Sequence, residues 1–360
     1  MKMTMIKWVL LASLTAALAV PFPRTSSAGE FVDVLDTDAM PSALASHGML
    51  TGITQAGTRL FAVGQRGHIL YSDDNGQGWQ QAHVPVSSHL VAVHFPTAQQ
   101  GWAVGHDGVV LHSSDAGQTW TRQLDGRQVG PNLLAYYQEQ LADQPDNPDL
   151  QARVADAQRM IEEGADKPFL DVWFESERVG YIVGAFNLIL RTDDGGIHWT
   201  PWLDRTDNPT ALNLYAIRPI GDDLFIAGEQ GLVLKLDRVR GRFVSTPTPY
   251  NGSFFGITGK PGIVLVFGLR GNVYRSTDSG GSWIKVDLGL PLSVTASSVT
   301  ADGRIVLVTQ AGHVLVSSDD GASFHLQPNT ALAPVAAAHV ASGGSLVLAG
   351  TRGLRLIPLE

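Results

Sequence analysis

Cysteine is absent from all 360 residues. That excludes a disulfide framework, a thiolate metal site, a cysteine nucleophile and a lipid carried on a cysteine thiol. Charge is sparse at 16% of residues, and bases are the scarcer sign: 25 Lys and Arg against 34 Asp and Glu, a net charge of −9. Three of those bases (Lys2, Lys7 and Arg24) lie in the first 28 residues, which hold no acid. The remainder therefore carries 22 bases against 34 acids, or −12. Such a chain is a poor partner for nucleic acid or an anionic membrane surface. Past residue 28 no apolar run is long enough to span a bilayer. There is no Walker loop and no Gly-x-Ser-x-Gly elbow. The 11 histidines are scattered, and pairs such as His89 and His94 or His106 and His112 lack nearby acids, so no metal or other cofactor is expected.

The same 28 residues read as an export signal. Lys2 and Lys7 supply positive charge, Trp8–Val20 is an apolar run too short to span comfortably, and Ser26-Ser27-Ala28 is a small-residue cleavage site. A periplasmic or secreted protein follows, with no membrane insertion after cleavage. The alternative is an uncleaved N-terminal anchor.

What is abundant is a repeat. Glycine (39 residues) and proline (19) punctuate alternating apolar runs. A turn of the form Ser-x-Asp-x-Gly that closes on an aromatic occurs at Ser72–Trp79, Ser113–Trp120, Thr192–Trp199, Ser276–Trp283 and Ser317–Phe324, with a worn copy at Leu236–Phe243. Asp74, Asp115, Asp194, Asp278 and Asp319 are read as structural acceptors of backbone N–H groups. Trp79, Trp120, Trp199 and Trp283, with Phe324, are read as aromatics buried between units. Apolar inner strands start near Leu50, Leu90, Phe169, Leu212, Phe254, Val294 and Val335. The second strands end at Gly64, Gly105, Gly184, Gly228, Gly268, Thr309 and Gly350. The period and strand count predict an all-β, seven-bladed propeller over residues 29–359. The seventh unit lacks an outer strand, and the lone strand predicted at Glu30–Asp36 is available to complete it and close the ring. The long second interval predicts a helical hairpin at 126–166, with helices over Pro131–Asp143 and Asp149–Glu163, between blades two and three.

Strand order puts the Asp turns on one face. The Gly-x-x-Gly turns and the hairpin fall on the other. The residue before the second glycine forms a ring there: Arg66, Asp107, Phe186, Gln230, Arg270, Ala311 and Arg352. Arg352 and Arg66 fall on adjacent blades, with Arg270 read as one blade further round, so three arginines in one quadrant form a candidate docking patch for a carboxylate or an acidic loop. The other reading is that exposed turn arginines are simply solvated.

Enzymatic readings are weaker. Ile217-Arg218-Pro219-Ile220 resembles the arginine motif of sialidases but follows three Asp turns and fits the end of an inner strand. Asp107, Glu229, Asp171 and Glu177 are acids near the ring face without a diagnostic spacing. A secreted glycan-binding or sialidase-type glycosidase propeller therefore stands as the alternative.

The seven glycine turns, the Asp turns and the signal together resemble the photosystem II stability/assembly factor family of seven-bladed propellers, over roughly residues 30–359 apart from the insertion. The resemblance implies a non-enzymatic protein that binds a membrane-protein subunit during assembly through an arginine-rich face, here Arg66, Arg270 and Arg352; a monomer is expected. The hairpin and the missing lipid-anchoring cysteine depart from the photosynthetic members and fit a relative from non-photosynthetic bacteria, acting beside a membrane exporter.

Overall fold

In a computed structural model, residues 32–328 and 332–359 are described. Their strands form seven antiparallel sheets, six of four strands and one of three. The innermost strands are Leu50–Ala56, Leu90–His94, Phe169–Phe174, Leu214–Ile220, Phe254–Lys260, Val294–Val299 and Val335–Val340. Each pairs with a second strand that ends at the residue read from the sequence, from Gly64 to Gly350. Those second strands are buried almost without interruption, as in Leu60–Gly64, Gly101–Gly105 and Ile305–Thr309. A strand covered on both faces needs an apolar residue at every position, which explains runs such as Leu-Phe-Ala-Val where a half-exposed strand would alternate. Their side chains fill the seams between blades: Trp102 of blade two stacks on Phe174 of blade three with ring centroids 3.6 Å apart, and Phe61 of blade one stacks on Phe95 of blade two at 4.1 Å.

The Asp turns are knotted by one repeated set of bonds. In blade one the Ser72 hydroxyl donates to Asp74 (2.7 Å) and accepts from Gly76 N–H (2.9 Å), while Gly78 N–H donates to Asp74 (2.8 Å). Trp79 Nε1–H closes the turn on the Gly76 carbonyl at 3.1 Å. The pattern recurs around Asp115, Asp194, Asp278 and Asp319. These five carboxylates accept bonds inside their own turns, as structural acceptors do. The worn copy keeps a remnant: Asp237 accepts from Val239 and Arg240 N–H.

Ring closure departs from the expectation. Glu30 and Phe31 lie outside the described residues, but Val34–Asp36 is a 3-10 turn capped by Asp33, and no strand. Leu35 is buried in the seam of blades one and two, and Ser87 N–H donates to the Val34 carbonyl at 2.9 Å. The local Asx cap and a buried Leu35 outcompete extension. Blade seven has three strands among the described residues, and the ring shuts by side-chain packing: Ala349 lies with Leu50, Ala62 and Leu70, and Val347 with Leu60.

Between blades two and three the chain forms two helices, α1 (Gly126–Asp143) and α2 (Pro148–Glu163). The first starts five residues earlier than the composition suggested, because Asp125 and Gln128 form a capping box. Asn147 caps the second, with Pro148 at its first position. Val129, Leu133 and Tyr137 bury the hairpin against Phe169, Leu188 and Trp199. Arg127 bridges Asp125 (2.8 Å) and Asp36 (2.7 Å), tying the hairpin to the N-terminal turn. No helix among the described residues is long and apolar enough to cross a membrane.

One pH dependence follows. Hydroxyls of Ser282 and Ser276 donate to Asp278 and hold its carboxyl at about 2, against about 3.9 for an unfolded chain. A depressed carboxyl contributes stability that is present above about pH 4 and is lost as pH falls through about 2. Asp278→Asn is therefore expected to lower the melting temperature most at pH 7, with the gap to wild type closing by pH 2. A gap that stays constant across that range would refute the charge-based account of this turn.

Candidate functional site

The Gly-x-x-Gly turns gather on one face together with the hairpin. In blades one to five the turn is a 3-10 turn whose middle residue is left-handed: Arg66, Asp107, Phe186, Gln230 and Arg270, with φ between 51° and 58°. The glycine that follows lies against backbone: a Cβ on Gly67 would sit 2.0 Å from the Val86 carbonyl oxygen, so no side chain fits. Blade two brings the hairpin in, because Gly108 abuts Gly126 at the start of α1.

The ring is less regular than the spacing implied. In blade seven Gly350 pairs directly with Gly353, so Thr351 and Arg352 form a two-residue connection, and neither Arg352 nor Ala311 is left-handed. The arginine quadrant also needs correction. Arg352 and Arg66 belong to neighbouring blades, but Arg270 belongs to blade five and is separated from Arg352 by the whole of blade six, which carries Ala311. Counting repeats from the first inner strand settles this. Arg66, Arg270 and Arg352 are all exposed, and none enters an ion pair among the described residues. Sequence reasoning missed Arg355, three residues beyond Arg352. It is half-buried, and burial and then the charge of Arg352 depress its pKa. Its signal was its place on the strand leaving the same turn.

The acids considered for catalysis are held apart. Glu229 accepts from Tyr215 Oη–H (3.0 Å) and Asn213 N–H (2.9 Å). Asp107 accepts from the Ser88 hydroxyl. Glu177 lies in the connection between the first two strands of blade three, on the face of the Asp turns, and accepts from Thr97 at 2.9 Å. It is not near the ring face. Asp171 is buried in the central channel, where it accepts from Ile217 N–H at 2.8 Å and pairs with Arg218. Burial raises its carboxyl pKa, opposed by the Arg218 charge. Arg218 sits inside the inner strand Leu214–Ile220 and serves this pair. The channel, about 340 Å³, is lined by inner strands of all seven blades, with His94 and His339 kept neutral by burial at about 3 and 4.

Phe186 is the outlier of the ring. It is 60% exposed and left-handed, a conformation unusual for a bulky side chain. Its N–H donates to Asn213 Oδ1 at 2.7 Å. The next residue, Asn187, is also left-handed and buried. Its amide donates to the Leu203 carbonyl and accepts from Thr206 and Asn208, which pins the connection 203–212. Across from it stands α2. Lys167 Nζ lies 5.7 Å from the Phe186 ring centre. A cleft of about 400 Å³ separates the hairpin from this turn.

With this geometry in place, comparisons with known proteins can be set beside it. The sequence matches the family described as photosynthesis system II assembly factor YCF48 over residues 24–112, 54–135 and 151–242. A curated relative, the photosystem II assembly lipoprotein Ycf48 of Synechococcus sp. (strain CC9902), is 30% identical over 159 residues. That match spans 42% of this chain and 46% of the relative, less than half the relative's length. Among solved structures, one described as YCF48 bound to D1 peptide superposes with a TM-score of 0.63 at 15% identity, covering 88% of this chain and 95% of that one. A streptogramin B lyase structure superposes with a TM-score of 0.64 at 15% identity over the same shares. At such identities the likeness concerns the fold, and the same fold serves a binder and a lyase.

The Asp171–Arg218 pair gives a testable consequence. Arg218→Met would strand a buried carboxylate, costing up to about 3 kcal/mol, the low end for an orphaned charge because Arg218 is half-exposed. Asp171 without its partner binds its proton more tightly when folded than unfolded. The deficit is therefore expected to be small at pH 4 and to grow as pH rises to 8, measured by urea titration. A pH-independent deficit would overturn this assignment.

Proposed function

The chain belongs to the photosynthesis system II assembly factor YCF48 family, and on that premise we propose that it is an exported, non-enzymatic propeller that binds a membrane-protein subunit while its complex is assembled. The observation that carries this reading is the junction of blades seven and one. There, exposed Arg66 and Arg352 lie on adjacent blades, with Arg355 close enough to Arg352 to feel its charge, in a chain of net charge −9, and they would form the positive docking surface. The guanidinium groups of Arg66 and Arg352, which enter no ion pair among the described residues, suit a carboxylate or an acidic loop, because their donors form a fixed fork. Export rests on the leader-like residues 1–28, which lie outside the described residues. The client would be a subunit of a membrane complex, a membrane exporter among the candidates, and the binder itself acts as a monomer.

A glycosidase reading gains no support from the acids. Asp171 is paired with Arg218, Glu229 is held by Tyr215 and Asn213, Asp107 is engaged by Ser88, and Glu177 lies on the other face. A hydrolase of that type needs two carboxyl groups facing one bond.

The test is crosslinking in cells followed by capture and mass spectrometry. Arg66→Glu with Arg352→Glu is expected to reduce recovery of the membrane-protein client at least tenfold, equivalent to about 1.4 kcal/mol, with an unchanged melting temperature. Equal recovery by the double variant would remove the arginine patch from the reading. Recovery of no membrane protein by the intact chain would remove the reading itself.

A further inference from the structure

The central channel has the size and the lining of a small-molecule site. Its volume of about 340 Å³ falls among ligand pockets, which run from about 300 to 1,000 Å³. The lining changes along the axis, because the inner strands start at the ring face and end at the Asp-turn face. The second residues of five inner strands, Val91, Leu170, Tyr215, Phe255 and Ala336, give the ring-face end an apolar wall. The third residues are small, as in Gly52, Ala92, Ala216 and Gly256, and leave room. The fifth residues bring His94, Trp173, Arg218 and His339 to one level near the other end.

At that level acceptors are used up and donors are left over. Asp171 and Arg218 are the only acid and the only Lys or Arg that line the channel. Asp171 is 3% exposed, and its carboxylate accepts from Val172 N–H at 3.0 Å, from Ile217 N–H at 2.8 Å and from Arg218. Arg218 makes these contacts through Nη1 alone, which also donates to the Ile217 carbonyl at 2.7 Å. Its Nε and Nη2 form the other, two-pronged edge of the guanidinium, and that edge donates to no group among the described residues, in a side chain that is 46% exposed. Phe174 N–H donates to His94 Nδ1 at 3.2 Å, so the His94 proton sits on Nε2, which has no acceptor among the described residues. The Trp173 ring lies 4.3 Å from the His94 ring and completes a flat wall. Beyond Trp173 a separate hollow carries Glu175, Asp222 and Asp223. Glu175 pairs with Arg238 and Asp223 with Lys235, and Asp222 does not line the channel.

We propose that the channel binds a small carboxylic acid with an apolar body. The carboxylate would take the Nε and Nη2 fork of Arg218, with His94 Nε2–H as a further donor, and the body would lie along the Gly and Ala level toward Leu170 and Phe255. A fork of two parallel N–H groups matches a carboxylate in geometry as well as charge. The neutral Asp171–Arg218 pair selects a single negative charge through directed donors, since the acid of the pair is buried and its oxygens are spent. This inference stands apart from the client reading and concerns a different surface.

The experiment is calorimetric titration of the purified full chain with benzoate at pH 7, beside benzamide and benzylamine as neutral and cationic counterparts. Benzoate is expected to saturate one site, and the two counterparts to bind at least tenfold more weakly. Two variants locate the site. Arg218→Lys keeps a positive charge beside Asp171 and removes the fork. Ala336→Phe leaves Arg218 untouched and puts a ring in the space of the ligand's body, from a position exposed to the channel. Each is expected to fold as wild type by circular dichroism and to weaken benzoate binding at least tenfold. No saturation below about 10 mM, weaker than a free energy of about −3 kcal/mol, overturns the proposal. So does equal binding of benzamide or benzylamine, or benzoate binding that Ala336→Phe leaves unchanged. Benzoate binding that only Arg66→Glu with Arg352→Glu abolishes also overturns it, because the carboxylate would then sit at the arginine junction. Loss of the cellular client by that double variant, with benzoate binding intact, keeps both readings and shows that they use separate sites.

Discussion

Everything in this molecule depends on second strands that are buried on both faces. Leu60–Val63, Trp102–Val104, Tyr181–Val183 and their counterparts have no solvent side, because a neighbouring blade covers each one. The energy of that burial cannot be collected by a blade alone. It is collected only when the ring is complete, so closure is a condition for stability. Among the described residues the chain meets it without a shared strand. Blade seven leans on blade one through Ala349, Val347 and Leu60, small and medium side chains that let the sheets approach closely.

That rigid ring sets the terms for its two faces. The Asp turns spend their carboxylates on their own backbone, so that face is chemically self-satisfied. The opposite face is different. Its turns hold residues in left-handed conformations by backbone contacts that do not use the side chain, which leaves Arg66, Phe186 and Arg270 free to vary in chemistry on a fixed frame. Loops on a rigid scaffold are the usual place for recognition. The hairpin extends the principle: its capping box, its Arg127 bridges to Asp125 and Asp36 and its buried Tyr137 make it a firm wall.

The central channel shows how polar groups can be placed for architecture. Asp171 in blade three accepts from the backbone of blade four and pairs with Arg218, stitching two inner strands together. Such a pair is poor evidence for added stability, but losing one member is expensive. The same two residues drew attention in the sequence as possible catalytic groups, and their partners in space reverse that interpretation.

The sequence by itself determined the repeat, the seven units, the ends of the second strands, the role of the Asp turns and the presence of a hairpin. These are local matters: period-two apolar runs, side-chain acceptors two to four residues from their donors, and glycine where a Cβ meets backbone. Only the tertiary structure decided three other matters. Leu35 turned into the seam of blades one and two, because a buried side chain and an Asp33 cap outweigh an edge strand. Glu177 fell on the Asp-turn face and Asp171 met Arg218, pairings between blades that no spacing encodes. The cleft beside Phe186 exists because α2, the 203–212 connection and one left-handed turn converge from three distant stretches.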